Sequence, residues 1–586
     1  MGTIISLWDI ARPKGQGGGY GGVPPPGKVC MAANEDAVDA GAASLTGVPE
    51  TQAEVVGLLA DPASYGEPVA RVERHDTHAA MVFLAGARAF KVKRAVSYPY
   101  LDFGTLARRI AVCRAEIARN RRTAPALYLG LCPVRRRSGG ALYLGELIAD
   151  PEAEDALSGD DLVEVAVVMR RFDQEALLAN VHARDELTPA LLDALADHVA
   201  AFHDSAGSAA RDPVAGHRTE IADNTADLRQ RPDIFDADAV ADLDARANAE
   251  LDRLAPLLND RAAAGCVRRC HGDLHLANIV LWDGQPTLFD AIEFNDALAE
   301  IDVLYDLAFL LMDLDRRGAR AAANRVLNRY MGARDDLDGL AALPFHLSLR
   351  AAIRAKVGAT ALATLTDPAA QARQLAATRG YFEAARAYLR PAAPVLVAIG
   401  GVSGTGKTTV ARALAPDLGA PPGALVIRSD VERKRLFGVA ETERLPESAY
   451  QGSANARVYD RIMDQARRGL AAGRSVVLEA TFLRREDRAR ARKLAQSAGV
   501  AFAPVWLTAP AETLKQRVDA RTADASDATS AVVAAQLERA PGGQIPWPGV
   551  DASGAVAAVV ARVRDVLRTA GVAVDDEGEA ACDGSG

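Results

Sequence analysis

Eight residues, Gly401-Val402-Ser403-Gly404-Thr405-Gly406-Lys407-Thr408, constrain this chain more than any others. They fit the pattern G-x-x-x-x-G-K-[ST], follow the apolar run VLVAIG and precede the helical stretch TTVARALA. Strand, glycine loop and helix in that order aim backbone N–H groups and a helix N-terminus at phosphate oxygens. Gly401, Ser403, Gly404, Thr405, Gly406 and Thr409 are the candidate cradle for ATP. Lys407 is placed to reach its β- and γ-phosphates, and Thr408 to offer a hydroxyl to Mg²⁺. An ordinary glycine turn is the plain alternative, and the flanking strand and helix argue against it. The runs VVLEATF and AFAPVWL supply further buried strands, so this region reads as alternating β/α around a parallel sheet.

At 586 residues the chain exceeds what one hydrophobic core supports, so two or more domains are expected. The Pro-rich stretch RPAAP at 390–394 marks a boundary. Upstream of it, MVFLAG and ARAFKVKR flank a glycine as in a hairpin, and LARRIAVCRAEIARNRR has helical spacing. Residues 185–265 also alternate apolar and charged positions at the helical period. Residues 1–46 contain GQGGGYGGVPPPG and too few apolar side chains to offset backbone entropy. The expected division is a disordered segment 1–46, a domain at 47–388, a second domain at 392–573 and a flexible acidic tail at 574–586. Met31 is an alternative start. Met1-Gly2-Thr3-Ile4-Ile5-Ser6 has the N-myristoylation pattern, but the Ala/Arg-rich composition looks bacterial, where that modification is not expected.

Composition narrows the partners. The hydrophobic fraction of 49% and charged fraction of 25% are those of a globular protein. A net charge of -9 argues against a standing nucleic-acid partner, which needs a clustered basic face. The six cysteines form no C-x-x-C pair, which argues against a disulfide framework or a zinc site. No apolar stretch reaches the roughly 18–20 residues that cross a bilayer, and the N-terminus lacks a signal pattern. A cytoplasmic location without a membrane partner is expected; the oligomeric state leaves no mark in the sequence.

Cys270-His271-Gly272-Asp273-Leu274-His275-Leu276-Ala277-Asn278 is the second dense signal, H-x-D with an Asn five residues after the Asp. That spacing suits phosphoryl transfer: Asp273 orients or deprotonates an acceptor hydroxyl, and Asn278 holds Mg²⁺ on the adjacent turn. Asp290, ending the strand-like run in LFDAIEF, is the candidate second metal ligand. A turn and a strand-end cap are the plain alternatives.

HGD-L-H-x-x-N followed by a strand and D-x-x-E resembles the aminoglycoside phosphotransferase and choline-kinase-like superfamily. The resemblance implies an α+β protein-kinase-like fold that uses ATP and Mg²⁺. Lys91, in FKVK, and Glu116, on the following helix, resemble the ion pair that positions the α- and β-phosphates. Lys93 lies on the same strand face, so the choice between the lysines stays open. VVMRRF at 167–172 resembles the hinge strand that meets adenine, and His203 matches a packing residue on the helix before the loop. No GxGxxG loop precedes Lys91, and no acidic pocket assigns an aminoglycoside as acceptor.

Downstream, IRSDVERKRLFG at 427–438 resembles a stretch of small P-loop kinases of the gluconate-kinase, polynucleotide-kinase and zeta-toxin types. The resemblance implies Asp430 as catalytic base and Arg433 as acceptor anchor; a solvated charge run is the alternative. LEATF at 478–482 resembles their D-A-T-F strand end, with Glu479 as metal ligand where Asp is usual. Arg517 and Arg521, four apart on one helix face, are the candidate catalytic lid arginines, or else surface salt-bridge partners. The order of the two modules resembles a bacterial family of bifunctional aminoglycoside phosphotransferase-like/ATP-binding proteins. YLDFGTLARR, AEIARNRRTAPALYLG and DVLYDLAFLLMDL look typical of it, and the likeness spans roughly 50–570.

The expectation is a kinase-like α+β domain followed by an α/β P-loop kinase domain, moving the γ-phosphoryl of ATP to a hydroxyl of a small molecule. Two alternatives stand beside it. One module senses ATP and controls the other, or the P-loop module acts on a nucleic-acid end or a nucleotide sugar.

Overall fold

The computed structural model describes residues 52–574, apart from 78, 99–100, 154, 364, 521–524 and 540–544. The N-terminal segment, the last twelve residues and Arg521 therefore lie outside the described residues. The described chain forms two compact units. One comprises the chain up to Asp185 with His271–Ala299 and Thr360–Ala372. The other comprises Glu186–Cys270, Glu300–Ala359 and the chain from Arg373 onward.

In the first unit six antiparallel strands lie in the order Val72–Asp76, Ala80–Ala85, Arg88–Lys93, Leu162–Arg170, Tyr128–Arg136 and Leu142–Leu144. Alternation sends Phe83, Phe90 and Val92 to one face, against Val55 and Leu59 of the Ala53–Ala60 helix. Val82, Leu84 and Ala89 take the other face, against Cys113 and Ile117 of the Leu106–Asn120 helix. Lys91 and Lys93 share that second face by the same alternation. Thr105 caps the helix by accepting from Arg108 N at 3.3 Å. A short hairpin, Ile279–Trp282 with Gln285–Leu288, follows the H-x-D loop.

The second unit joins a helical lobe to a parallel sheet. The lobe includes the helices Pro189–Ser205, Pro213–Arg229, Ala237–Ala263, Val303–Arg316 and Arg320–Arg334. Within it His203 is fully buried, its ring bonded to Tyr330 Oη at 2.8 Å and Asp306 Oδ2 at 3.0 Å. The sheet runs Leu425–Arg428, Val476–Glu479, Val395–Gly400, Ala501–Thr508, Gly549–Asp551, every pair parallel. Val397, Ile399 and Val505 pack against Val410 and Leu414 of the Lys407–Leu414 helix and Val563 and Leu567 of the Val556–Thr569 helix. The first strand in sequence is central, so the chain reverses its direction of winding there, the point at which open α/β sheets bind ligands. This is the α+β part followed by a parallel α/β sheet that the sequence patterns predict. Among the described residues, no helix is long and apolar enough to cross a membrane.

Candidate active sites

The H-x-D loop is held by its own side chains. His271 Nε2 donates to the Phe289 carbonyl at 2.9 Å while Nδ1 accepts from Asp273 N at 3.3 Å, which fixes one tautomer. Gly272 has φ +83, and a Cβ there would meet Ile292 Cδ1 at 2.7 Å and the Leu298 carbonyl at 2.8 Å, so glycine is required. Asn278 Nδ2 donates to the Asp273 carbonyl and to Asp273 Oδ2, each at 2.9 Å. His275 Nε2 lies 3.4 Å from the other Asp273 oxygen. The Asn278 amide thus orients Oδ2, and Asp273 is 2% exposed.

The hairpin register Ile279↔Leu288 places Asn278 and Phe289 at its open end, where Phe289 N donates to the Asn278 carbonyl at 3.0 Å. Asp290 comes next, in a left-handed conformation with φ +61. Two residues of the first sheet and its helix hold that turn. Tyr128 Oη accepts from Asp290 N at 3.2 Å, and Asn120 Oδ1 accepts from Ala291 N at 2.8 Å.

From Asp290 a ladder of alternating charges runs inward. Asp290 Oδ1 lies 2.7 Å from Lys91 Nζ, which lies 2.8 Å from Glu116 Oε1. Glu116 Oε2 lies 2.7 Å from Lys93 Nζ, which pairs in turn with Glu293. Burial works to lower the pKa of Lys91, but Asp290, Glu116 and Glu293 outweigh it and hold the ammonium well above its ordinary range. Burial likewise works to raise that of Glu116, and the two lysines overcome it. Glu293 goes the other way: burial pushes its carboxyl up despite Lys93. The two lysines differ in position: Lys91 touches Asp290, while Lys93 is enclosed between two glutamates.

The ladder sets three carboxylates against two ammonium groups, with Asp290 at one end of it and the Asp273–Asn278 pair nearby. That is the donor set a Mg²⁺-nucleotide requires: an amide and a carboxylate on adjacent turns, with an ammonium beside them. The residues fit the cofactor. Glu293, Asn120 and Tyr128 complete the site without having been singled out for it. Glu293 stands in the D-x-x-E pattern, whereas nothing local marks Asn120 or Tyr128.

In the parallel sheet the Gly-rich loop lies between its strand and helix as the motif requires. Gly404 has φ +88, and a Cβ there would meet the Leu514 carbonyl at 2.7 Å. Gly401 N donates to the Thr481 carbonyl at 3.3 Å, Thr405 Oγ1 to Val402 O at 2.9 Å, and Lys407 Nζ to the same carbonyl at 3.1 Å. Gly406 is the N-cap of the helix that begins at Lys407, and Thr409 on its first turn is exposed. Ser403 N donates to Gln536 Oε1 at 2.7 Å, so a side chain of the Ser530–Arg539 helix already satisfies one cradle N–H.

Thr408 Oγ1 donates to Glu479 Oε2 at 2.9 Å, which brings the helix hydroxyl and the strand-end carboxylate together. Arg428 donates to that same carboxylate oxygen at 3.1 Å and to Thr408 Oγ1 at 3.2 Å. Both oxygens therefore face positive charge, and their types fit Mg²⁺. Asp430 is half-buried beside them. Burial and then the Glu479 carboxylate push its pKa up, against the pull of Lys407, a Ser526 hydrogen bond and Arg428.

Arg433 donates to the Ala449 carbonyl and to Asn455 Oδ1, each at 2.7 Å, and lies 4.7 Å over the Tyr450 ring. Asp527 accepts from Lys434 Nζ at 2.7 Å, Leu445 N at 3.0 Å and Tyr450 Oη at 2.6 Å, tying this loop to the Ser429–Leu436 helix. The structure brings Lys407, Thr408, Asp430 and Glu479 together, with Arg433 one helical turn from Asp430. Arg517 is engaged elsewhere: its guanidinium donates to the carbonyls of Ala552 at 2.8 Å and Ser553 at 3.3 Å.

Comparison with known proteins agrees in two segments. A phosphotransferase enzyme family model matches residues 139–343, and an AAA domain model matches 396–542. Proteins of Mycobacterium tuberculosis and Mycobacterium bovis, each described as uncharacterized, are 31% identical over 477 residues, covering 80% of this chain and 90% of theirs. Among solved structures, a gluconokinase from Sinorhizobium meliloti is 25% identical, covering 31% of this chain and 96% of its own, with a TM-score of 0.22. A choline/ethanolamine kinase family protein from Mesorhizobium loti is 16% identical, covering 57% of this chain and 97% of its own, with a TM-score of 0.31.

Proposed function

Because the chain belongs to one family with these mycobacterial proteins, and is a phosphotransferase-type enzyme with a P-loop kinase-type module, we propose that it moves the γ-phosphoryl of ATP to a hydroxyl of a small molecule. The observation that carries this reading is the ladder from Asp290 to Glu293, set beside an Asp273 oriented by the Asn278 amide. In the upstream site Asp273 accepts the proton of the acceptor hydroxyl as its oxygen bonds phosphorus and the bond to the departing ADP breaks. Lys91 holds phosphate oxygens, and Asn278 and Asp290 would hold Mg²⁺. The metal, when bound, supplies charge neutralisation at the phosphates. Glu116, Lys93, Asn120 and Tyr128 keep those groups in place. In the downstream site Lys407 and Thr408 serve nucleotide and metal with Glu479, while Asp430 and Arg433 serve an acceptor.

A second reading makes the P-loop module an ATP sensor. It is favoured by Arg428, which already engages both oxygens of the candidate metal site. ATP consumption with sugars, polyols, nucleosides, choline and aminoglycosides, in wild type, Asp273→Ala and Lys407→Ala, tests both readings. Stimulation by one compound that falls about 10²–10⁴-fold in Asp273→Ala alone is the expected outcome for the upstream site. Undiminished stimulation in that variant refutes the assignment of Asp273. Turnover that depends on Lys407 refutes the sensor reading.

A further inference from the structure

An edge strand presents a row of N–H and C=O groups with no strand to pair them. In the P-loop sheet Leu425–Arg428 is such a strand, paired on one side only, with Val476–Glu479. Its other side is met by two asparagines of the Arg320–Arg334 helix, which belongs to the helical lobe. Asn328 Oδ1 accepts from Val426 N at 2.7 Å, and Asn328 Nδ2 donates to the Ala424 carbonyl at 3.1 Å. Asn324 Nδ2 donates to the same carbonyl at 3.0 Å. Asn328 Nδ2 lies 3.0 Å from Asn324 Oδ1, so the two amides orient each other. Four residues apart, they share one helix face.

Charged contacts surround this amide pair. Arg468 reaches Asp335 at 3.0 Å and Asp338 at 2.8 Å. Arg329 bridges Asp197, at 2.6 Å, and Glu441, at 3.3 Å. Gly332, on the same helix as the asparagines, lacks the Cβ that the Arg435 guanidinium would otherwise strike. Arg435 belongs in turn to the helix that carries Asp430 and Arg433.

We infer that Asn324 and Asn328 are positioning residues for the P-loop site, acting through the strand they pair. Arg428 ends that strand, stands opposite Glu479 in the register and bonds both Glu479 and Thr408. Asp430 lies two residues farther on. Any shift of the strand therefore moves the groups that would face metal and acceptor. The site is complete only in a chain that contains the helical lobe. This rests on reading the P-loop module as a Mg²⁺-nucleotide site.

The test uses the full chain and a fluorescent ADP analogue, with binding measured in Mg²⁺ and in EDTA. The P-loop component is the part that Lys407→Ala removes. Asn328→Leu keeps the side-chain volume and deletes the bonds to Val426 N and to the Ala424 carbonyl just before the strand. The Mg²⁺-dependent gain in affinity of that component is expected to fall about tenfold, the scale of outer-shell partners of metal ligands. Affinity in EDTA and the other binding component stay unchanged, which a general loss of structure does not produce. Asn328→Asp keeps the acceptor for Val426 N and loses less. A folded Asn328→Leu chain with the full Mg²⁺ gain overturns the inference. Should that variant not fold, Arg468→Ala is expected to lose about threefold, the scale of a partly exposed ion pair. The full gain retained in both Arg468→Ala and Asn324→Ala then overturns it. A wild-type chain with no Lys407-dependent binding refutes the P-loop reading instead.

Discussion

The upstream site gathers its polar and charged groups from residues 91, 93, 116, 273, 278, 290 and 293; the two lysines pair with three carboxylates, and Asp273 is met by the Asn278 amide. The P-loop site takes its cradle from eight consecutive residues, and its polar groups meet carbonyls, a glutamine and a guanidinium. In the first, the proposed catalytic groups and the fold draw on the same ion pairs, because a buried charge without its partner is costly. In the second, the loop's shape comes from glycines and backbone, and its functional side chains are separable from the fold.

That contrast is sharpest in stability. Lys93→Met strips Glu116 and Glu293 of a buried partner and is expected to cost about 3–5 kcal/mol, while Lys407→Met removes a hydrogen bond to the Val402 carbonyl and is expected to cost about 1 kcal/mol. Chemical denaturation of the full chain measures both, and equal losses would erase the distinction. A smaller effect separates the sites by pH. With Asp430 as the proposed base, which accepts a proton only when ionised, its raised pKa is expected to place the acid limb of P-loop transfer above the ordinary Asp value of about 3.9. Transfer rises with pH through that limb. Glu479→Gln removes one cause of the rise, so the limb moves to lower pH while the Mg²⁺ requirement increases; an unmoved limb disconnects Asp430 from the proton transfer. The smallest effect concerns Gln536. Gln536→Ala leaves Ser403 N for a phosphate oxygen and is expected to tighten ATP binding about fivefold, or about 1 kcal/mol. Weaker binding would mean that Gln536 braces the loop instead.

The two sites were also unequally legible in the sequence. A contiguous motif needs only local geometry, and the strand, loop and helix around Lys407 follow directly from residues 395–414. The H-x-D loop was legible for the same reason. The Lys91–Glu116 pair depended on a resemblance, and Lys93 could not be separated from Lys91 because both lie on one face of a strand. Only the distance to Asp290 divides them. Asn120, Tyr128 and Gln536 act through single long-range hydrogen bonds, which no periodicity records. Asn324 and Asn328 read as polar positions on an ordinary helix until the strand edge is placed beside them.

The asparagine pair has a consequence for how such a gene changes over time. Once one half has shaped a helix face to another half's open strand, splitting the reading frame leaves backbone groups with no substitute nearby. A change at one exposed position does not restore three matched hydrogen bonds. A chain cut between the two parts is therefore expected to expose the Val426 N–H and the Ala424 carbonyl together, at the place where an open strand edge invites another chain.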